Sequence, residues 1–203
     1  MPYYSIDTLG DLQDRQLCVL DDVPEGIGVK YSRLVKGRSM DGEFPASAII
    51  RMSADRTGIK LSSLIGNTNR LLILHRDVKE LIETENAQRG SNAPIEYWPF
   101  TLINHKDRPH SSDYFILNPV GPRDCLNMKA SVIRYFRDTE MVSKIERMVI
   151  DPNKLLDAPP LFRLKQAPDR YFVDGAVALA FEKAKFTNLT LRHIETQPED
   201  SPP

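Results

Sequence analysis

The chain has 203 residues, of which 41% are hydrophobic and 27% charged, and this balance excludes a collagenous, low-complexity or wholly disordered protein. Its formal charge is −1 and its isoelectric point is about 6.4, so no global field draws it towards nucleic acid or an anionic membrane. A chain of this length can bury one large hydrophobic core or two small ones.

The amino-terminal residues predict neither a secretory signal nor a membrane anchor. Residues 1–20 contain no basic region, and their longest apolar run is residues 17–20, whereas a membrane-spanning helix needs about 20 apolar residues. We therefore expect a cytoplasmic protein. Its two cysteines, Cys18 and Cys125, lack the paired spacing of a zinc site and are expected to be buried thiols.

Charge is unevenly distributed near the amino terminus. Residues 7–25, which we name the acidic segment, hold six acidic residues against Arg15 alone, and the six are Asp7, Asp11, Asp14, Asp21, Asp22 and Glu25. Residues 30–38, the basic segment, hold four basic residues and no acid. Neighbouring charge runs usually pair with each other across a solvated face. The alternative is an acidic docking surface for a basic partner.

The first half of the chain predicts short strands and one clear helix. Residues 16–23 and 48–52 have the apolar, β-branched character of strands, so the first third is expected to be β-rich. Residues 71–74 predict a buried strand, and residues 75–86 predict an amphipathic helix because their apolar residues recur at helical spacing. Residues 95–103 predict a returning strand.

The second half repeats this order of elements. Residues 170–173 predict a strand, Asp174 can cap the helix that follows, and residues 189–194 predict a returning strand. At a constant offset, Val78 aligns with Val177, Ile82 with Phe181 and Glu83 with Glu182. The pattern fits either a duplication or two copies of a common supersecondary unit, and two copies without a third slightly favour the common unit.

Together these elements predict an α+β protein with mixed or antiparallel sheets: a β-rich amino-terminal part followed by two strand-helix-strand units. The polar residues 104–113 are rich in loop formers and predict a boundary between two α+β subdomains, residues 1–105 and 106–196. Residues 197–203 are expected to be a disordered tail.

No motif points to catalysis, a metal or a nucleotide cofactor. The four histidines lack metal-ligand spacing, and the chain contains no nucleophile elbow and no glycine-rich phosphate loop. We therefore predict no enzyme activity, no catalytic residue and no cofactor. Residues 161–165 alternate in polarity, which predicts a half-buried strand with Arg163 on a basic outer edge. A nucleic-acid-binding or regulatory protein that uses residues 30–38 and 163–170 is the alternative function.

The order and spacing of five sequence blocks carry a family resemblance. They are residues 114–120 (YFILNPV), 124–131 (DCLNMKAS), 161–164 (LFRL), 171–174 (YFVD) and 189–191 (LTL). These blocks, together with the order of elements upstream, resemble a bacterial family of polymorphic-toxin immunity proteins. That family is the eleventh in the numbered immunity series and was formerly a domain of unknown function. The resemblance covers about residues 59–195.

Four residues depart from the family's usual pattern. Asn127 stands where aspartate is usual, and Asp174 stands where serine is usual. Asn188 and Leu191 replace a glycine and a phenylalanine near the carboxyl terminus. Asp174 retains the capacity to cap a helix, whereas the missing glycine implies a different turn before the last strand.

The resemblance implies a protein that binds a cognate toxin in the cytoplasm and neutralises it by stoichiometric occlusion. Many toxins of such systems are nucleases with basic substrate-binding faces, and binding of charged partners is usually steered electrostatically. We therefore predict that the toxin contacts the acidic segment, through Asp7, Asp11, Asp14, Asp21, Asp22 and Glu25. No membrane partner is expected, and nucleic acid is an unlikely partner on net charge.

Overall fold

The computed structural model describes residues 1–90 and 93–199. Strands hold 36% of the residues and helices 17%, which confirms the predicted α+β class. The strands are β1 (Tyr3–Ile6), β2 (Val19–Leu20), β3 (Ile49–Arg51), β4 (Gly66–Asn67), β5 (Leu72–His75), β6 (Ile95–Ile103), β7 (Pro109–Pro119), β8 (Val132–Tyr135), β9 (Val142–Arg147), β10 (Val149–Ile150), β11 (Leu161–Leu164), β12 (Ala167–Asp174) and β13 (Leu191–Thr196). The α-helices are α1 (Tyr31–Val35), α2 (Arg76–Gln88) and α3 (Gly175–Lys183).

The two predicted strand-helix-strand units share one topology. The first sheet has the order β3-β6-β7-β5 and the second the order β10-β13-β1-β12-β11. In each unit, the strands before and after the long helix are parallel to one another and are separated by one antiparallel strand. That inserted strand is β7 in the first unit, where it follows β6 in the chain. In the second unit the amino-terminal strand β1 takes its place.

The outer strands of the two sheets also correspond. β3 pairs in parallel with β6, and β10 pairs in parallel with β13. On the other side, Leu64 bridges to Leu74 in antiparallel fashion, as β11 does with β12. Both units therefore have the same neighbours in the same directions, which strengthens the case for a duplication over two unrelated copies of a common unit.

The pairing registers of the two sheets coincide row by row. One row of the first sheet contains Leu72, Leu117 and Tyr97, and the matching row of the second contains Tyr171, Ile6 and Leu191. In the next row, Leu74, Phe115 and Pro99 match Val173, Tyr4 and His193. The rows keep the sequence offset of 99 residues between β5 and β12. The two units can therefore be compared residue by residue.

Both long helices begin with a side-chain cap at equivalent positions. The His75 ring accepts a hydrogen bond from the backbone amide of Asp77 at 3.3 Å. Asp174 accepts from the amides of Ala176 and Val177 at 2.9 and 3.1 Å, as predicted for this residue. These bonds satisfy amide groups that have no partner within the first turn of a helix.

The hydrophobic core has three clusters that alternate with the sheets. The central cluster joins α2 and α3 to the helix-facing sides of both sheets, through residues such as Val78, Leu117, Tyr171 and Val177. A second cluster covers the opposite face of the first sheet with residues from the amino-terminal third. The third covers the opposite face of the second sheet. Each fully buried aliphatic or aromatic side chain contributes about 1.5–3 kcal/mol, so this packing fixes the relative placement of the elements.

Some predicted boundaries change in the structure. Strands were predicted over residues 16–23 and 48–52, but only β2 and β3 form within these ranges, and the residues on either side are irregular. The expected subdomain boundary at residue 105 falls in the tight turn between β6 and β7, which pair along most of their length. Strand pairing therefore crosses this boundary, and division into two subdomains stays a prediction.

The described part of the expected tail, residues 197–199, contacts the rest of the protein, and disorder of the tail stays a prediction. The amide of Gln197 donates to the carbonyl of Ile150 at 3.0 Å, and the amide of Glu199 donates to the Asp151 carboxylate at 3.2 Å. The Glu199 carboxylate pairs with Lys154 at 2.6 Å. The remainder of the expected tail, residues 200–203, lies outside the described residues.

Candidate interaction surfaces

Half of the acidic segment's carboxylates are engaged in ion pairs within the protein. The pairs join Asp7 to Arg192, Asp14 to Lys60, and Glu25 to Arg51. None of these cations belongs to the basic segment, so the expected pairing between the two segments does not occur in these three pairs. Ion pairs at the surface contribute little to stability, so a partner could displace them at low cost.

The other three carboxylates differ in their exposure and in the hydrogen bonds that they accept. Asp21 accepts hydrogen bonds from the hydroxyls of Ser53 and Thr68 and is half-buried. Asp11 is exposed and accepts from the backbone amide of Gln13 at 2.8 Å. Asp22 is exposed and has no ion pair or side-chain hydrogen bond with any described residue. The exposed carboxylates of the acidic segment are therefore Asp11, Asp22 and Glu25, of which Glu25 is paired with Arg51.

The basic segment folds into a short helix and pairs with the loop that follows it. Lys30 and Arg33 both approach Glu43, at 3.6 and 3.4 Å. The Arg33 guanidinium also donates to the carbonyl of Ser39 at 2.9 and 3.0 Å. Lys30 and Arg33 of the basic segment therefore pair with the loop that directly follows α1 in the chain.

Arg163 is buried, which corrects the prediction of a basic outer edge at residues 161–165. Its side chain is only 1% exposed and is the largest among the fully buried ones. Alternation of polarity failed here because all four residues of β11 are buried on both faces. Arg163 is therefore not available for contact with nucleic acid, and the alternative function loses one of the basic residues of segment 163–170.

The buried guanidinium of Arg163 is stabilised by hydrogen bonds to uncharged oxygen atoms and by contact with an aromatic ring. It donates to the carbonyls of Leu34, Val35 and Pro168 at 2.5–3.1 Å. It also donates to the side chains of Asn118 and Tyr171, and lies 4.1 Å from the centre of the Tyr171 ring. Three of the family-like blocks, around residues 118, 163 and 171, therefore meet in one buried polar network.

The network continues from Asn118 to Glu96. The Asn118 side chain donates to the Glu96 carboxylate at 2.8 Å, and the hydroxyl of Ser39 and the indole of Trp98 donate at 2.5 and 2.9 Å. Burial raises the pKa of Glu96, but hydrogen bonds from Ser39, Asn118 and Trp98 outweigh it and hold the pKa below its ordinary value. The network joins the first sheet to the loop after α1 and has a structural role.

The side chains that could have served chemistry are inert or scattered. Burial raises the pKa of both Cys18 and Cys125 to about 12, so neither is a thiolate at neutral pH. Among residues 1–90 and 93–199, no group of three histidine, cysteine or acidic side chains is placed to hold a metal ion. His75 serves as a helix cap, and His193 stacks edge-on against Tyr4.

A cleft lies where the end of α2 meets the start of α3. Its volume is about 1080 Å³, and an ion pair between Arg89 and Asp174 forms part of its wall. Arg89 follows α2, and Asp174 caps α3, so the pair ties the two units together. Asp174 is the residue that replaces the family's usual serine, and this replacement supplies the carboxylate. None of the six predicted acidic residues lines the cleft.

A smaller groove runs between α3 and β13. Its volume is about 630 Å³, and its walls are mainly apolar, with Tyr4, Phe181 and Leu191 among them. Glu182 and Lys185 stand at its rim. In the sequence, the alignment of Glu83 with Glu182 pointed to a residue of this groove. The groove itself could not be predicted from that alignment, because its other walls are identified by the register of the strands.

The hairpin formed by β8 and β9 is a third surface. Its inner residues Ile133 and Ile145 pack on the third core cluster. Its tip exposes large apolar side chains, namely Tyr135, Phe136 and Met141. Clusters of exposed apolar side chains often mark interaction sites. In the sequence, residues 134–137 (RYFR) interleave basic and aromatic side chains, a pattern that fits contact with single-stranded nucleic acid or core packing.

The comparisons with known proteins agree with the resemblance seen in the sequence. A model of the immunity protein family Imm11 matches residues 38–196, which is most of the chain. No curated protein matches the chain significantly. Within the described residues, no helix has the length and apolar character needed to cross a membrane. Strand β1, which pairs with β12 and β13, lies before residue 38 and therefore outside the matched range. Because the family model matches more than half of the chain, the chain belongs to the Imm11 immunity protein family.

Proposed function

We propose that the protein binds a toxin protein one to one in the cytoplasm and neutralises it by covering the toxin's active site. Membership in an immunity protein family carries this proposal. An inhibitor of this kind needs a complementary surface of roughly 800 Å² on each partner and no chemistry of its own. The inert thiols and the structural role of the Arg163 network are in keeping with a binding protein.

The acidic segment is the proposed toxin-contacting surface. Its exposed carboxylates, Asp11, Asp22 and Glu25, lie outside residues 38–196, where the family model matches. A contact surface outside the matched range can differ between members while the fold is retained, which suits recognition of different toxins. A nuclease toxin with a basic substrate-binding face would be attracted to these carboxylates and blocked by them.

The first experiment tests whether the protein neutralises a toxin at all. The product of the adjacent open reading frame is expressed with and without this protein, and growth and complex formation by pull-down are measured. We expect rescue of growth and a one-to-one complex. If the two proteins neither bind nor rescue growth, the proposed function is wrong for this toxin.

A second experiment tests the acidic segment. Replacing Asp11, Asp22 and Glu25 with lysine is expected to slow association at least tenfold at low salt, because it reverses the steering charge. The matched control replaces three exposed acids elsewhere, Asp41, Glu80 and Asp157, which changes the net charge equally. Equal association rates for the two triple variants would show that the toxin binds another surface.

A further inference from the structure

In the first unit, a lysine fills the space between the helix and the sheet. Lys79 of α2 extends over the rings of Tyr97 and Phe115, with its Nζ atom 4.9 and 5.3 Å from the ring centres. The same Nζ atom pairs with the Glu83 carboxylate at 2.6 Å, and the lysine side chain is only 18% exposed. Its methylene groups cover apolar surface while its charge meets an aromatic face and a carboxylate.

The second unit has an equivalent of each of these residues, but an alanine stands in place of the lysine and a leucine in place of one of the two rings. The equivalent residues follow from the offset of the helices and the register of the sheets. They are Leu191 for Tyr97, Tyr4 for Phe115, Glu182 for Glu83 and Ala178 for Lys79. Ala178 is buried at the edge of the central core cluster and lines a groove, and it has no side chain beyond Cβ that could fill that groove as Lys79 does in the first unit.

The groove that Ala178 lines is the one between α3 and β13. Its lining includes all four equivalent residues, Tyr4, Ala178, Glu182 and Leu191. The Glu182 carboxylate is exposed and forms no ion pair with the residues that the structure describes. The groove therefore combines the Tyr4 ring, apolar walls and a carboxylate without an ion pair, and Lys185 is the other charged residue in its described lining.

We propose that this groove receives a lysine side chain from the toxin, an inference that rests on the proposed function and names the chemistry of the contact. The methylene groups of the incoming lysine lie against Leu191 and the Tyr4 ring. Its ammonium group pairs with Glu182, as that of Lys79 pairs with Glu83 in the first unit.

A lysine suits the groove better than an apolar side chain does. An apolar occupant would remove water from Glu182 without giving the carboxylate a partner, and such a loss is costly. A lysine covers the same apolar walls and also pairs with the carboxylate. A basic toxin surface supplies such side chains, so this contact is compatible with the electrostatic attraction proposed for the acidic segment.

The test uses variants that fill the groove or remove its charge. Ala178→Lys places the missing side chain in the groove from within, in the arrangement that the first unit already adopts. We expect it to fold and to bind the toxin at least tenfold more weakly, because the groove is occupied. Glu182→Gln removes the carboxylate at an exposed position and is expected to weaken binding by about tenfold, as loss of a charge-assisted hydrogen bond does. Affinities are measured by calorimetry with the full chain and the purified toxin.

The matched control is Glu83→Gln, which removes the equivalent carboxylate where the site is already filled. It is expected to leave toxin affinity within about twofold of wild type, as remote surface changes usually do. In the Ala178→Lys background, Glu182→Gln is expected to add no further loss, since the groove is closed to the toxin.

The outcomes separate this inference from the proposed function. If the wild-type protein does not bind or neutralise the toxin, the proposed function fails. If the wild type binds but Ala178→Lys and Glu182→Gln bind equally well, only the groove proposal is overturned. If ultracentrifugation shows that the wild type self-associates and that Ala178→Lys abolishes this, the occupant is a second copy of the chain and the toxin assignment is wrong.

Discussion

The hydroxyl of Tyr171 accepts a hydrogen bond from the backbone amide of Leu72 at 3.1 Å, and these two residues occupy equivalent positions in the two units. The two units therefore meet at corresponding strands, β5 and β12. The same hydroxyl accepts a bond from Arg163 at 2.9 Å, so one oxygen atom serves both the contact between units and the buried arginine.

Tyr171→Phe tests this contact. The change removes one oxygen atom and leaves the Leu72 amide and one Arg163 nitrogen without this acceptor in a fully buried site. The Arg163 nitrogen keeps the Leu34 carbonyl and Asn118 as acceptors, so the main cost is that of the unsatisfied Leu72 amide. Leaving one buried donor unsatisfied costs about 1–3 kcal/mol, so the free energy of unfolding in urea is expected to fall by about 2 kcal/mol. Tyr135→Phe, at an exposed position, is the control and is expected to have no measurable effect. Equal stability of the two variants would show that the hydroxyl contributes nothing.

Arg163→Lys tests the buried arginine network. A lysine keeps the positive charge but cannot bond in several fixed directions at once, so several carbonyl oxygens lose their donors. We expect the free energy of unfolding to fall by about 3 kcal/mol or more, as for other broken buried charge networks. The control is Arg170→Lys, an exposed residue, which is expected to be neutral. A stable Arg163→Lys variant would mean that the network tolerates a point charge.

The sequence predicted the units of this fold better than it predicted their assembly. The stripe on α2, the Asp174 cap and the strands on either side of each helix follow from local periodicity and capping chemistry. β1 could not be assigned to the second unit, because its pairing partners lie more than 160 residues away. Local patterns do not carry such long-range pairings.

The candidate sites show the same limit. Polarity suggested that Arg163 faces solvent, but its bonds to Leu34 and Asn118 depend on elements far away in the chain. The groove depends on the equivalence of Tyr4 and Phe115, which only strand register reveals. The six carboxylates were found by composition, yet which of them are free is decided by tertiary neighbours such as Lys60 and Arg192.

Acid stability tests the Glu96 network. The pKa of Glu96 is lower in the folded protein than the ordinary value of 4.5, so its stabilisation is fully present above the unfolded pKa. It is lost as pH falls through the folded pKa, because protonation breaks the hydrogen bonds from Ser39 and Asn118. We expect the free energy of unfolding to drop as the pH falls below about 5.

Glu96→Gln isolates this effect in urea titrations at several pH values. The variant is expected to be less stable at pH 7 and to show a weaker loss of stability towards pH 3 than wild type. Glu140→Gln, at an exposed position, serves as the control and is expected to keep the wild-type pH dependence. An unchanged acid slope in Glu96→Gln would show that other carboxylates cause the loss.

The unusual origin of β1 gives the last prediction. In the first unit the inserted strand β7 directly follows β6, whereas in the second unit β1 comes from the opposite end of the chain. Tyr3 pairs with Ile194 in antiparallel register, so a Gly/Ser linker from residue 203 to residue 1 would place β1 after β13. New termini at the exposed turn between Asp138 and Thr139 would leave strand pairing intact. We expect this circular permutant to fold with near-native stability, as permutation at exposed turns usually allows.

The contrasting variant is the fragment of residues 38–196, which lacks β1 and the core residues that precede residue 38, such as Leu20 and Leu34. Without β1, the second sheet loses the strand that pairs with both β12 and β13. Its backbone groups and apolar side chains would be exposed, so we expect circular dichroism and urea titration to show no cooperative unfolding. A permutant that fails to fold, or a fragment that unfolds cooperatively, would show that β1 is not the inserted strand that completes the second unit.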